Sequence, residues 1–138
     1  MFEHTLESKD FCLHLSLNVF ESDLKYPSNT IITVSVTSDG FSAKADMDID
    51  IKEFAEFASQ LQFVYDTLSG EATIKEPFGY QKYISFHADK TGHITAKGFL
   101  CDDMKNNELH FENSFDQTYL KKFSQELFLA YSQYRQIK

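Results

Sequence analysis

The chain has 138 residues, with 13 basic and 21 acidic side chains, a formal net charge of −8, and 14 Phe and 7 Tyr but no Trp. A chain of this length makes one domain, residues 1–138, that buries about two-thirds of its unfolded surface and needs no disulfide or metal staple. The acidic balance argues against nucleic acid as a partner, and the only two cysteines, Cys12 and Cys101, have neither metal-ligand nor redox spacing, so reduced thiols are expected.

That charge is unevenly spread. Residues 118–138 hold Lys121, Lys122, Arg135 and Lys138 against Glu126, a net of +3, which leaves −11 on residues 1–117. Such a body fits a partner with a basic surface, and it fits plain solubility as well. Met1-Phe2-Glu3-His4 lacks the basic start of a secretory leader, and no apolar run approaches the roughly 18 residues of a membrane span. A cytoplasmic protein without a membrane partner is expected. No internal repeat or low-complexity run is visible.

In chain order, Phe11, Leu13, Leu15, Leu17 and Val19 alternate with Cys12, His14, Ser16 and Asn18, which is a half-buried strand. The polar stretch from Glu21 to Asn29, containing Pro27, is the longest irregular connection and leads to a strand over Thr30–Thr37. Asp39-Gly40 suits a two-residue type I′ hairpin, because both central residues need positive φ. Pairing Ser38 with Phe41 then sets Val36 against Ala43, Val34 against Ala45 and Ile32 against Met47, apolar against apolar. A three-residue loop would set Val36 against Ser42 and turn one strand over. In the chosen register Asp46, Asp48 and Asp50 share one face, roughly 7 Å apart at about 3.3 Å rise per residue. Asp50, with Glu53 three residues on, reads as the N-cap of a capping box that opens a helix from Ile51 to about Thr67, with Phe54, Phe57, Ala58, Leu61 and Val64 as its apolar stripe.

Ser69-Gly70 ends that helix, Glu71–Glu76 offers a short strand, and Pro77-Phe78-Gly79 breaks the chain again. Three further strands follow, Gln81–Asp89, His93–Cys101 and Glu108–Phe115. A three-residue loop ending in a left-handed Gly92 pairs Asp89 with His93, and so Phe86 with Ala96 and Ile84 with Gly98. Closing Asp102–Asn107 with Cys101 opposite Glu108 pairs Gly98 with Phe111, placing an aromatic ring over the strand glycine. On the opposite face Lys97 meets Glu112, and Tyr83, Phe99 and His110 form a row across three strands. Asp116 or Thr118 caps a last helix with Leu120, Phe123, Leu127, Ala130, Tyr131 and Tyr134; its wide apolar arc, flanked by Tyr119, Phe128 and Leu129, suggests deeper burial than the first.

These elements predict an α+β fold: a single antiparallel sheet of about six or seven strands, in the order β-β-β-α-β-β-β-β-α, with two helices packed on one face. The helices cover the face of Val34, Ala45, Phe86, Ala96 and Phe111. The free face then carries Asp46, Asp48, Tyr83, Lys97, Phe99, His110 and Glu112, the candidate partner-binding set, with Phe99 expected as a partly exposed ring.

Catalytic signatures are weak. Gly40, Gly70, Gly79 and Gly92 sit at turns and Gly98 in a strand, so none is left for a phosphate loop, and Arg135 is the single arginine. His4, His14, His87, His93 and His110 include no pair at helical zinc spacing, and no serine or cysteine sits in a nucleophile elbow. Asp46, Asp48 and Asp50 could hold Mg²⁺ for phosphoryl chemistry, although Asp50 is already taken by the helix cap; a solvated face and an acidic patch for a protein partner are the other readings of that row. The Tyr83, Phe99 and His110 row also reads as cross-strand packing under a loop or the N-terminal segment.

The segments Thr67-Leu68-Ser69-Gly70-Glu71-Ala72 and Phe115-Asp116-Gln117-Thr118-Tyr119-Leu120, with Gly40-Phe41 opening a strand and Gly92-His93-Ile94 at a turn, resemble the WapI-type immunity proteins over about residues 30 to 130. The resemblance implies a non-enzymatic cytosolic antidote, without cofactor or metal, that binds the C-terminal toxin domain, often a nuclease, of a polymorphic toxin delivered between competing bacteria. It transfers no active-site or contact residues. Beside it stand two alternatives, a small metal-dependent phosphohydrolase using Asp46 and Asp48, and a structural or small-ligand-binding module with no toxin partner.

Overall fold

The computed structural model describes residues 2–136; Met1, Ile137 and Lys138 lie outside them. The chain runs β1 (Phe2–Glu7), β2 (Phe11–Val19), β3 (Thr30–Ser38), β4 (Phe41–Ile49), α1 (Ile51–Thr67), β5 (Glu71–Lys75), β6 (Tyr83–Ala88), β7 (His93–Cys101), β8 (Glu108–Asp116) and α2 (Lys121–Tyr131). The expectation of one sheet is overturned. The strands form two separate four-stranded antiparallel sheets, β1-β2-β3-β4 and β5-β6-β7-β8, each a meander of sequential neighbours, and the class remains α+β. The unit of four strands and a helix thus occurs twice, a repeat of architecture that the side chains do not advertise.

Within each sheet the local rules hold. Asp39 and Gly40 both take positive φ, 49° and 88°, as a type I′ turn demands, and Ser38 pairs with Phe41, Val34 with Ala45 and Ile32 with Met47. In the second sheet Phe86 pairs with Ala96, Gly98 with Ile84 and Phe111, and Cys101 with Glu108. The eighth strand, β1, comes from a segment whose inward residues, His4 and Leu6, are too few and too polar to read as a strand alone. It pairs Leu6 with Leu13 and His4 with Leu15.

The apolar faces of the two sheets turn toward one another, and the helices close the remaining space. Phe11 of β2 stacks on Phe115 of β8 at 5.8 Å between ring centroids and meets Phe111 at 6.0 Å. Helix α1 lies against β5 and β6, α2 against β1, and the helices against each other, so the two helices do not share one face of one sheet. Phe57, Phe86 and Phe123 link α1, β6 and α2, and Tyr131 of α2 meets Phe54 edge-on at 5.0 Å. Each fully buried Leu, Ile or Phe in this cluster stabilises the fold by about 1.5–3 kcal/mol. The last helix is not the more deeply buried: α2 buries Phe123, Ser124, Leu127 and Tyr131, whereas α1 also buries Ile51, Phe54, Ala55, Phe57, Ala58, Leu61 and Val64, and Leu129 stays 77% exposed.

Asn29 joins the first sheet to α1. Its buried carboxamide donates from Nδ2 to Tyr26 O at 2.9 Å and Asp50 Oδ1 at 3.1 Å, while its Oδ1 accepts the Ile51 amide at 2.8 Å. Asp50 caps the helix as expected, accepting the Lys52 amide at 2.9 Å.

Candidate partner-binding surface

Along β4 the inward residues Met47 and Ile49 are buried, so period two sets Asp46 and Asp48 on the outer face. Thr33 Oγ1 donates to Asp46 Oδ1 at 2.7 Å. Asp50 is held by Lys52 and Asn29 at the helix start. The three carboxylates therefore do not converge, and among the described residues no group of three or more His, Cys, Asp or Glu is placed to hold a metal ion.

Tyr83, Phe99 and His110 do fall in one row, on the outer face of the second sheet, with Lys97 paired to Glu112 beside them. Phe99 is not a partly exposed ring. It is 8% exposed, against 6% for Phe111 on the core face, because His110 stacks on it at 4.6 Å and the Lys105 ammonium sits 5.8 Å above it. The seven predicted residues thus belong to two sheets: Asp46 and Asp48 to one, and Tyr83, Lys97, Phe99, His110 and Glu112 to the other.

Asp46 and Asp48 border two grooves where β4 meets the loops of the second sheet, and Tyr83, Lys97, Phe99, His110 and Glu112 line neither of them. One groove of about 290 Å³ is lined by Asp48, Glu76, Phe78, Tyr80, Lys82 and Asp103. A second, of about 270 Å³, is lined by Lys44, Asp46, Cys101, Asp102 and Asp103, so Asp103 borders both. Lys105 also lies 5.5 Å above the Tyr80 ring, which ties the groove wall to the Phe99 row.

The walls are built stiffly. Glu76 and Lys82 are buried charges at the two ends of the β5–β6 loop; Glu76 Oε1 accepts the Lys82 amide at 3.2 Å and lies 3.8 Å from Lys82 Nζ. Desolvating two charges is tolerated here only because each partners the other. In the β7–β8 loop Asp102 accepts the Asn106 amide at 2.8 Å and Asn107 Nδ2 at 2.6 Å, and the Asn107 bond holds its carboxyl below the ordinary carboxylate range. Burial pushes the neighbouring Cys101 thiol up, which makes it a poor nucleophile. Phe78, Tyr80, Asp102 and Asp103 lie in connections, where no period marks a face, and Pro77-Phe78-Gly79 was the one visible signal; Glu76 and Lys82 fall at the ends of the strands expected over Glu71–Glu76 and Gln81–Asp89, which stop at Lys75 and start at Tyr83.

A hydroxyl, imidazole and carboxylate chain exists on the first sheet, Thr5 Oγ1 to His14 Nδ1 at 2.8 Å and His14 Nε2 to Glu3 Oε1 at 3.2 Å. It runs across the outer surface of β1 and β2, apart from both grooves, as a cross-strand contact. The grooves themselves offer carboxylates and exposed rings, which is chemistry for binding.

A sequence profile described as the immunity protein WapI-like family matches residues 6–135. A search of curated proteins finds no match. Among solved structures the chain is similar to the plant transcriptional regulator PBF-2, with a TM-score of 0.56 and 5% identity over 94% of this chain and 79% of that one. It is also similar to WHY3 from Arabidopsis thaliana, with a TM-score of 0.51 and 8% identity over 94% of this chain and 86% of that one. At such identities the likeness is one of fold alone.

Proposed function

The chain belongs to the WapI-like immunity protein family, and from that membership we propose that it binds and neutralises the C-terminal domain of a polymorphic toxin, a nuclease, in the cytoplasm of the cell it protects. The observation that carries this reading is the family match over residues 6–135. The electrostatics support it: a body of −11 over residues 1–117 suits the basic cleft in which a nuclease holds its phosphate backbone. In this reading the protein inhibits without catalysis or cofactor. Asp46 and Asp48 provide charge, and the outer face of the second sheet provides Tyr83, Lys97, His110 and Glu112, with Phe99 buried beneath His110 as their support. No helix among the described residues is long and apolar enough to cross a membrane.

The test is to mix the purified chain with the C-terminal domain of the secreted toxin encoded beside it and to follow nucleic-acid cleavage and association rate. Cleavage should stop at equimolar chain, and the association rate should fall by about ten-fold or more from low to high ionic strength. Undiminished cleavage at saturating chain would sink the proposal, and a rate indifferent to salt would remove charge steering from it.

A further inference from the structure

Resting on the toxin-binding reading, we infer that the groove between β4, the β5–β6 loop and the β7–β8 loop is the seat of a lysine- or arginine-bearing loop of the toxin domain. The groove joins two kinds of group that a protein surface seldom leaves together. Phe78 and Tyr80, which line it, are 72% and 43% exposed, and Met104, next in the chain to the lining residue Asp103, is 74% exposed. Exposed apolar side chains gathered at a concave site mark interaction surfaces, and aromatic anchors framed by polar groups are the composition of binding hot spots.

Charge selects the occupant. Among the described residues Lys or Arg pairs with Asp50, Glu76 and Glu56, so Glu76 is already matched to Lys82 while Asp48 and Asp103 in the same groove keep their charge uncommitted. Asp46 and Asp102 extend the negative field into the adjoining groove. A cation on a flexible stem satisfies both parts at once, its methylenes or guanidinium plane against Phe78 and Tyr80 and its charge between Asp48 and Asp103.

The seat is also preorganised, which limits the ordering that binding must supply. The β5–β6 loop is closed by the Glu76 amide donating to Lys82 O at 2.9 Å, and by Gly79 and Gln81, both at positive φ, which turn Phe78 outward. Lys105, itself at positive φ, donates its amide to Asp102 O at 3.0 Å and clamps the two loops together through Tyr80.

Three variants decide it, measured with the same toxin domain by stopped-flow and by melting temperature. Asp48→Asn with Asp103→Asn should slow association about ten-fold at low salt and approach the parent at high salt, whereas Glu7→Gln with Asp66→Asn, which removes the same two charges outside the groove, should change it less than about two-fold. Phe78→Ala should speed dissociation by about ten-fold or more with the melting temperature kept. If the parent chain binds the toxin and neither groove variant differs from it, the groove is not the seat, while the toxin reading stands. If the parent chain does not bind at all, both fall. Should the parent be a dimer that Phe78→Ala makes monomeric with toxin affinity unchanged, the groove serves a second copy of this chain and the inference is overturned.

Discussion

The Phe111 ring lies directly over Gly98 on the neighbouring strand, so close that a Cβ placed on Gly98 would stand 2.6 Å from Phe111 Cζ and 2.5 Å from the carbonyl oxygen of Tyr83. The glycine is there for space. Gly98→Ala should therefore destabilise by about 3 kcal/mol or more, through overpacking that no rotamer relieves. Truncating the ring does not cure it, because the Tyr83 oxygen belongs to backbone: Gly98→Ala with Phe111→Ala should remain less stable than Phe111→Ala alone in urea titrations. Rescue by the second change would show that the ring is the sole obstacle.

Phe99 and Phe111 point to opposite faces of β7 and β8 yet are buried alike, at 8% and 6% exposure. Each Phe→Ala change should cost about 3 kcal/mol in chemical denaturation, the ordinary loss for an aromatic cavity. A cost below about 1 kcal/mol for Phe99→Ala alone would mean that the Lys105 and His110 cover adds little packing.

Asn29 should matter more than the cap it supports. Asn29→Ala leaves the Ile51 amide and the Tyr26 carbonyl without their partner in a buried junction and should cost about 3 kcal/mol, whereas Asp50→Ala should cost about 1 kcal/mol. Thermal melts of the two variants give the order, and the reverse order would refute it.

His4 makes stability depend on pH in a defined direction. Its ring is buried between β1 and α2, with Nε2 2.7 Å from Tyr131 Oη and Nδ1 without a partner among the described residues. Burial lowers its pKa from 6.5; Glu126 pulls it back up in part, and His14 lowers it further. The native ring stays neutral where the unfolded chain already takes up a proton, so the unfolded state binds more protons and stability rises with pH in that window. The contribution is complete above pH 6.5 and is lost as pH falls from there through the native value. Melting temperature should drop between about pH 7 and about pH 5.5, and His4→Phe should flatten the drop. An unchanged slope in His4→Phe would assign it to other groups.

What the residues determined by themselves was every feature set by neighbours in the chain. Asp39-Gly40 dictated a two-residue turn, the turn dictated the pairing of Val34 with Ala45, and Gly92 did the same for Phe86 and Ala96, because a hairpin's register follows from its loop. Asp50 and the apolar stripe of α1 were equally local. The division into two sheets was not. Alternation says which face of a strand is apolar, and the same alternation serves a strand covered by helices or one facing a second sheet, so Phe11 gives no sign that it will stack on Phe115 more than a hundred positions later. For the same reason Asp48 and Asp103 look unrelated along the chain. Only the packing of β4 against β7 and β8, decided by how the two apolar faces meet, brings their charges into one groove.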